Sequence, residues 1–256
     1  MRGLRKTFFR PGEKDGGETA VLDGIDLDIR RGECLLLAGS NGSGKTLLTR
    51  ILAGLAEPTE GTVRYRGRDL GTALKEGERN FRRELGIIFQ DPDAQFVGET
   101  VEEDAAFGPR SLGMGRDEAL RRARGALEKT GLWEKRFFAP RRLSGGEKRR
   151  LAAAGVLASG CRTVIMDEPF ANLDWPGVVQ TLRLVKTLKD EGAALIILTH
   201  ELEKALAFAD RLVILHGGRI REDGKPDAVL DRLGDEYGVR DPRRTYARAA
   251  DCSWLP

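Results

Sequence analysis

The sequence predicts an α/β fold with a mainly parallel sheet, and three observations support this prediction. First, a glycine-rich loop at residues 39–46 joins an apolar strand to a helix. Second, short apolar runs alternate with helical patterns after residue 160. Third, a helical stretch at about residues 91–160 separates these two parts as an insert. Because parallel strands need long crossover connections, usually helices, this order places helices on both faces of one sheet.

The composition indicates a globular domain that needs neither disulfides nor zinc. The 256 residues are enough for one large domain with an insert. The 43 basic and 40 acidic residues are too evenly balanced to predict nucleic acid as the main partner. Cys34, Cys161 and Cys252 lie far apart and form no metal-binding pattern. No apolar run approaches the roughly 20 residues that cross a bilayer, and we expect no signal peptide, so any membrane part should belong to other subunits.

The N-terminal part is predicted to be β-structure followed by a strand–loop–helix unit. Apolar residues alternate with acids here, which is typical of a half-buried strand; they are Val21, Ile25, Leu27 and Ile29. The other elements predicted from periodicity are a strand at residues 34–38, a helix at 47–55, and strands at 62–66 and 85–89. The helix at 47–55 should end near Gly54 and Pro58.

The rest of the chain alternates between helical and strand patterns. The predicted elements are helices at residues 117–129 and 147–157, a strand at 163–166, a helix at 176–190, a strand at 195–199, a helix at 201–209, and strands at 212–215 and 219–221. Gly217 and Gly218 mark a hairpin turn between the last two strands. We predict one domain over residues 1–230 and a short C-terminal tail or appendage over residues 231–256.

The glycine-rich loop carries a phosphate-binding pattern. The residues that match G-x-x-x-x-G-K-[ST] are Gly39, Ser40, Asn41, Gly42, Ser43, Gly44, Lys45 and Thr46. Glycines let backbone N–H groups turn toward phosphates, and the N-terminus of the next helix adds a positive field. Lys45 should reach the β- and γ-phosphates of ATP, Thr46 should bind Mg²⁺, and Leu47 should complete the nucleotide-binding residues. The alternative is a glycine-rich turn that matches by chance.

Two carboxylates, Asp167 and Glu168, end a second apolar strand. Neighbouring side chains of a strand point to opposite faces, so the two acids can have different roles. Asp167 would hold Mg²⁺, directly or through water, and Glu168 would act as a general base on the attacking water. Taken alone, the two acids would be better explained as a solvated strand end.

Three small residues, Ser144, Gly145 and Gly146, precede the helix predicted at residues 147–157. Such residues can present N–H groups and a hydroxyl to an anion. Ser144 and Glu147 also have the spacing of a capping box, in which the serine caps the helix. We expect both interpretations to hold, because a capping serine is also free to meet a phosphate.

These motifs, in this order, resemble the ATP-binding cassette (ABC) ATPases. The resemblance rests on the phosphate-binding loop, the run Leu-Ser-Gly-Gly-Glu-Lys-Arg-Arg at residues 143–150, and Val-Ile-Met-Asp-Glu-Pro at residues 164–169. It implies an ABC-type P-loop NTPase with a RecA-like sheet, an N-terminal antiparallel β subdomain and a helical insert subdomain. It also implies that Ser144, Gly145 and Gly146 complete the ATP site of a facing chain.

The same resemblance implies roles for four further residues. Gln90 would sense Mg²⁺, the attacking water and a membrane partner, and His200 would contact the γ-phosphate. Asp174 lies in a segment that resembles the D-loop, which lines the seam between two cassettes. Phe9 aligns best with the aromatic residue that stacks on adenine, although Thr7 departs from the family pattern; Phe8 remains an alternative.

Residues 89–95 and the Phe-Gly-Pro run at residues 107–109 resemble the energy-coupling-factor importers, including cobalt and nickel transport ATPases. This implies uptake of a transition-metal ion or a vitamin, powered by ATP and Mg²⁺ at the cytoplasmic face of the membrane. The implied partners are a second ABC ATPase chain, identical or different, a transmembrane coupling subunit and a substrate-binding membrane subunit. Asp91, Asp93 and Glu99 would meet the coupling subunit or form a solvated surface. The alternative function is a soluble ABC ATPase that acts on nucleic acid or another macromolecule.

Overall fold

A computed structural model describes residues 1–9, 17–75 and 80–243 of the chain. Its strands are β1 (Arg2–Phe9), β2 (Glu18–Ile25), β3 (Cys34–Ala38), β4 (Glu60–Thr62), β5 (Arg64–Tyr65), β6 (Arg68–Asp69), β7 (Leu85–Ile88), β8 (Thr163–Asp167), β9 (Ala194–Thr199), β10 (Arg211–His216) and β11 (Arg219–Gly224). Its helices are α1 (Lys45–Leu52), α2 (Leu70–Lys75), α3 (Asn80–Glu84), α4 (Val101–Ser111), α5 (Arg116–Lys129), α6 (Gly145–Ser159), α7 (Trp175–Asp190), α8 (Leu202–Ala205) and α9 (Pro226–Leu230). Short 3₁₀ turns join several of them.

A six-stranded sheet in the order β11-β10-β3-β9-β8-β7 forms the centre of the fold. All neighbours pair in parallel except β10 and β11, which form an antiparallel hairpin. The predicted mainly parallel sheet is therefore confirmed. The carboxyl ends of the parallel strands meet at one edge, because Ala38 pairs with Thr199 and Asp167 with Leu198. This edge is where the motifs of β3, β8 and β9 come together.

Each face of this sheet carries its own hydrophobic core. Leu36 and Ile197 point to the face that packs against α6 and α7, where Val185 is fully buried. Leu37 and Leu198 point to the opposite face, which packs against α1 and the N-terminal strands. Strand side chains alternate between faces, so fully apolar strands such as β3 and β9 are buried on both sides.

The N-terminal strands form a separate antiparallel sheet in the order β2-β1-β4, which confirms the β subdomain that the resemblance implies. Two strand predictions were wrong in extent. The strand predicted to extend as far as Ile29 ends at Ile25. Leu27 is instead buried in the loop that follows, and its carbonyl oxygen accepts a 2.7 Å hydrogen bond from the Met1 amino group. The strand predicted at residues 62–66 is divided, and Arg66 adopts a left-handed φ of 51°.

The helical insert contains α4, α5 and α6, which pack around one core of small and branched side chains. The fully buried alanines of this core include Ala105, Ala119, Ala123 and Ala154. Alanine side chains are small, so the helix backbones can approach one another closely. Little space then remains between these charged helices for large side chains. Across the described residues, no helix is both long enough and apolar enough to cross a membrane.

The chain continues past α9 and returns to the sheet. Val239 is 5% exposed, and Tyr237 packs against the core on the face of α7. The domain boundary predicted at residues 230 and 231 stays a prediction. Cys34 and Cys161 are free thiols, Cys252 lies outside the described residues, and the described part of the chain holds no cluster of metal-binding side chains.

Candidate nucleotide-binding site

Residues 39–46, the phosphate loop, connect β3 to α1 at the carboxyl edge of the sheet. Gly39 lies so close to β10 that a Cβ on it would be 2.2 Å from the Leu215 carbonyl oxygen. Gly44 precedes α1 with a φ of 102°, a conformation that only glycine adopts readily. The pattern of glycines therefore follows from close backbone approach and left-handed geometry, and the predicted contact of this loop with phosphates stays a prediction.

Lys45 is buried at the first residue of α1, with 7% of its surface exposed. Its Nζ donates hydrogen bonds to the carbonyl oxygens of Gly39 at 2.7 Å and Ser40 at 3.1 Å. Burial lowers the pKa of this ammonium group, while the charges of Glu168 and Asp167 oppose that shift. The loop thus holds its lysine against its own backbone, beside the two acids that end β8.

Asp167 and Glu168 are both buried, with 5% and 7% of their surfaces exposed. Burial raises the pKa of Asp167, and a hydrogen bond from Thr46 partly opposes this effect. Asp167 Oδ1 and Glu168 Oε2 have no hydrogen-bond partner among the described residues. A buried, unpartnered carboxylate oxygen is costly, so these two atoms indicate a site shaped for a cation or a water molecule.

Glu168 is held in an unusual backbone conformation, with a φ of 45°. Its N–H donates to the Leu198 carbonyl at 2.9 Å, which ties the residue after β8 to the neighbouring strand β9. Its Oε1 lies 3.1 Å from Nδ1 of His200, the residue that follows β9. Strained backbone of this kind concentrates at functional sites, where it aims a side chain. The structure therefore brings together Lys45, Asp167, Glu168 and His200 as the sequence predicted.

Gln90 lies at the same edge but makes no hydrogen bond to these residues in the described part of the chain. Ile88 pairs with Met166, so Gln90 stands at the level of Glu168, with its side chain exposed. A residue that sequence reasoning gave no role holds this segment in place: Gln95 Nε2 donates to the Ile87 carbonyl at 2.9 Å, and its Oε1 accepts from the Phe89 N–H at 3.3 Å. The place of Gln95 at the end of the run at residues 89–95 was the sequence feature that could have indicated this role.

Ser144 and Glu147 form the predicted capping box at the start of α6. Ser144 Oγ accepts from the Glu147 N–H at 3.4 Å, and Glu147 Oε2 accepts from the Ser144 N–H at 3.0 Å. Ser144 and Gly145 are exposed, and a Cβ on Gly145 would meet no atom within 4 Å. No hydrogen bond between described residues links this end of α6 to the phosphate loop. Asp174 is likewise exposed and caps α7 through the Gly177 N–H at 2.9 Å.

Two side chains of α6 that the sequence did not single out join it to neighbouring functional segments. Lys148 Nζ lies 2.6 Å from Asp93, in the segment that follows Gln90. Arg149, which is 7% exposed, donates to the Ala171 carbonyl at 2.5 Å, just before Asp174. Asp93 is therefore engaged within the chain, whereas the prediction considered it for a coupling subunit.

The two candidate adenine-stacking rings end β1. Phe9 is 65% exposed and Phe8 is 47% exposed. As neighbours in a strand they point to opposite sides, and the Lys6 ammonium lies 5.5 Å from the centre of the Phe8 ring. Phe9 is the more open of the two rings, and its role in adenine stacking stays a prediction.

Comparison with known sequences places this site in one family. The family model described as ABC transporter matches residues 22–171. A putative ABC transporter ATP-binding protein of Methanothermobacter marburgensis is 41% identical over 221 residues, which are 86% of this chain and 79% of that protein. The energy-coupling factor transporter ATP-binding protein EcfA1 of Clostridium novyi is 40% identical over 223 residues, again 86% of this chain and 79% of that protein.

Comparison with solved structures agrees. CbiO1 of Clostridium perfringens, part of the ABC transporter complex CbiONQ, has a TM-score of 0.76 and 31% identity and covers 92% of both chains. The dimeric post-hydrolysis cassette MJ0796, bound to ADP and Pi, has a TM-score of 0.77 and 26% identity, covering 88% of this chain and 97% of its own. The chain therefore belongs to the ABC transporter family, as an ATPase subunit whose relatives include energy-coupling-factor ATP-binding proteins.

Proposed function

We propose that this chain is the ATP-hydrolysing subunit of an energy-coupling-factor importer, in which Glu168 acts as the general base. The observation that carries the catalytic part is the environment of Glu168. One carboxylate oxygen lies 3.1 Å from His200, and the other is buried without a partner among the described residues. A base must be oriented and must keep one lone pair free for the water that it activates. Glu168 meets both conditions.

The neighbouring residues divide the remaining tasks. Lys45 supplies a fixed positive charge for the β- and γ-phosphates of ATP, and the N–H groups of the phosphate loop supply further donors. The oxygens of Thr46 and Asp167 fit Mg²⁺, a hard cation that prefers such ligands, and Gln90 would join them through water. The bound ion would neutralise charge on the phosphate oxygens. His200 holds Glu168 in place and presents its half-exposed ring to the γ-phosphate.

A second ABC ATPase chain, identical or different, is proposed to complete each site. Ser144, Gly145 and Asp174 are exposed, and the end of α6 makes no hydrogen bond to the phosphate loop of its own chain. The Ser144 hydroxyl proton and the N–H groups of Gly145 and Gly146 are therefore available to a nucleotide held by a facing chain, and Asp174 would lie at the seam between the two chains. This arrangement would leave the single chain able to bind ATP but poorly able to hydrolyse it.

A cavity with a partly apolar lining supports a membrane coupling subunit as a further partner. A cavity of about 450 Å³ lies between β7 and the helical insert, next to the segment that follows Gln90. Gln95 and Phe107 line it, and Phe107 is 48% exposed. Such a recess beside the site can receive a helix of another protein. The cargo would be a cobalt or nickel ion or a vitamin, and the chain would work at the cytoplasmic face of the membrane.

The catalytic proposal is tested by Glu168→Gln in the purified chain with Mg-ATP. The amide cannot accept a proton, so turnover should fall by about 100-fold or more while ATP binding persists. The matched control is Glu57→Gln, the same change on an exposed side chain beyond the far end of α1. Unchanged turnover in Glu168→Gln would remove Glu168 from its assigned role.

The importer proposal is tested by co-purification from detergent-solubilised membranes. The tagged chain should recover transmembrane subunits, and Phe107→Glu should reduce that recovery because it replaces an exposed apolar ring of the cavity lining with a charge. Phe137→Glu, at a ring that is 69% exposed elsewhere on the insert, is the matched control. Recovery of nucleic-acid-binding proteins without any membrane subunit would favour the soluble alternative instead.

A further inference from the structure

The segment after α9 packs directly against the phosphate loop. Gly238 has a left-handed φ of 64° and follows a short turn over Asp235–Tyr237. A Cβ on Gly238 would lie 2.9 Å from the Cβ of Ser40, closer than real Cβ atoms approach. The backbone fixes the position of both Cβ atoms, so no side-chain rotation could relieve this clash.

The tail segment is anchored on the strand that also borders the phosphate loop. The Gly238 N–H donates to the Asp235 carbonyl at 3.1 Å, and Val239 is buried in the core. The ring of Tyr237 lies against the ring of His216, with centroids 5.9 Å apart. His216 ends β10, and the preceding Leu215 carbonyl is the atom that Gly39 approaches. The phosphate loop is therefore confined between β10 and the tail.

Ser40 is connected to the groups that hold phosphate. Its carbonyl oxygen accepts hydrogen bonds from Lys45 Nζ at 3.1 Å and from the Ser43 N–H at 3.2 Å. A displacement of Ser40 would therefore move both the anchor of the lysine and the turn of the loop. Pre-organised donors of this kind lose affinity when their geometry shifts, because the loop must then be reordered on binding.

We infer that Tyr237, Gly238 and Val239 are positioning residues that set the geometry of the phosphate loop through Ser40, and thereby set its affinity for ATP. The inference rests on the proposed function in that it takes residues 39–46 as the ATP site. It adds that a segment outside the family's matched region, which ends at residue 171, controls that site.

The test measures ATP affinity of the full-length chain without Mg²⁺, so that turnover does not interfere. Gly238→Ala should raise the Kd for ATP about tenfold, which corresponds to about 1.4 kcal/mol. The control is Gly192→Ala, at a glycine with a similar φ of 79° and no atom within 4 Å of the added Cβ. Both variants carry the left-handed penalty, but only Gly238→Ala presses on Ser40, so the control should bind ATP like the unaltered chain.

A second background separates loop positioning from a general loss of folding. In Ser40→Gly, which removes the atom that is contacted, Gly238→Ala should raise the Kd by less than threefold; thermal unfolding reports the fold of every variant. Equal ATP affinity in Gly238→Ala and Gly192→Ala, or the same loss with and without Ser40, would overturn the inference. If the unaltered chain bound no ATP, the proposed nucleotide site itself would fail, and the inference with it.

Discussion

The candidate site has a buried half and an exposed half, and the two differ in whether their polar groups have hydrogen-bond partners. Lys45, Asp167 and Glu168 are all less than 9% exposed and are held by backbone hydrogen bonds and strand pairing. Gln90, Ser144 and Asp174 are exposed at the ends of other elements. The buried half has buried carboxylate oxygens without a partner among the described residues, whereas the exposed half has its helix caps satisfied and open space beside Gly145.

Under the proposed function, this difference means that the chain pre-organises its catalytic groups but needs a second chain to complete recognition of the nucleotide. Burial strengthens electrostatic interactions and fixes geometry at Lys45 and Glu168. Ser144, Gly145 and Gly146 are also held in place, by the capping box, but no hydrogen bond between described residues joins them to the phosphate loop of their own chain. We expect such a rigid helix end, with no ligand from its own chain, where a second chain supplies the nucleotide.

The strongest test of this comparison is Ser144→Arg, which blocks the exposed half alone. A bulky cation at the open helix end should prevent closure on a facing nucleotide, so Mg-ATP turnover should fall by about 1,000-fold. ATP binding by the single chain should change by less than about twofold, because the phosphate loop is untouched. Turnover is measured by phosphate release and binding by calorimetry.

The control for Ser144→Arg is the same kind of change at another capping box of the insert. Thr100 caps α4 through Glu103 in the same way, so Thr100→Arg also costs about 1 kcal/mol of helix capping. It should preserve turnover in the isolated protein. Normal turnover in Ser144→Arg would mean that ATP is not shared between two chains.

The next largest effect is expected within the buried half, at His200. His200→Ala removes the partner of Glu168 Oε1 and leaves both carboxylate oxygens free to reorient, so kcat should fall by about 100-fold with little change in KM for ATP. His200→Gln, whose amide can donate to the same oxygen, should recover part of that loss. A rise in KM at constant kcat would instead assign His200 to ATP binding.

The sequence predicts features that depend on local patterns better than features that depend on contacts between segments far apart in the chain. Lys45, Glu168 and His200 each lie just after a strand with a strong local pattern or at the start of the next helix, so their meeting was predictable because the carboxyl ends of parallel strands share one sheet edge. Strand β1 was not individually predicted, because only Leu4 is buried and its pairing with β2 and β4 supplies the stability. Contacts between distant segments, such as Lys148 with Asp93 and Gly238 with Ser40, leave no local periodicity at all.

A third prediction concerns the cost of the buried half to stability. Burial raises the pKa of Asp167, so the folded chain holds this proton more tightly than the unfolded chain does. The ionised carboxylate therefore destabilises the fold at pH 7, and this cost is absent below pH of about 3.9, where an unfolded aspartate is also protonated. Asp167→Asn should raise the Tm at pH 7 by about 2–4 °C for each kcal/mol removed.

The gain in Tm from Asp167→Asn should shrink steadily as the pH falls toward 4, when both proteins are followed by thermal unfolding without nucleotide. Asp227→Asn, on an exposed side chain of α9, should give no gain at any pH. A gain that stayed constant with pH would show that the substitution acts through packing rather than through the charge.

The smallest expected effect lies within the exposed half, at the ion pair that joins Lys148 of α6 to Asp93 in the segment after Gln90. Lys148 is 16% exposed and Asp93 is 54% exposed at the side chain, so salt and solvent screen the pair only in part. A double-mutant cycle of Lys148→Ala and Asp93→Ala, measured by urea unfolding, should give a coupling free energy of about 0.5–1 kcal/mol that declines in 1 M salt. The paired reversal Lys148→Asp with Asp93→Lys should restore most of it. A coupling near zero would mean that this ion pair does not help to join α6 to the segment after Gln90.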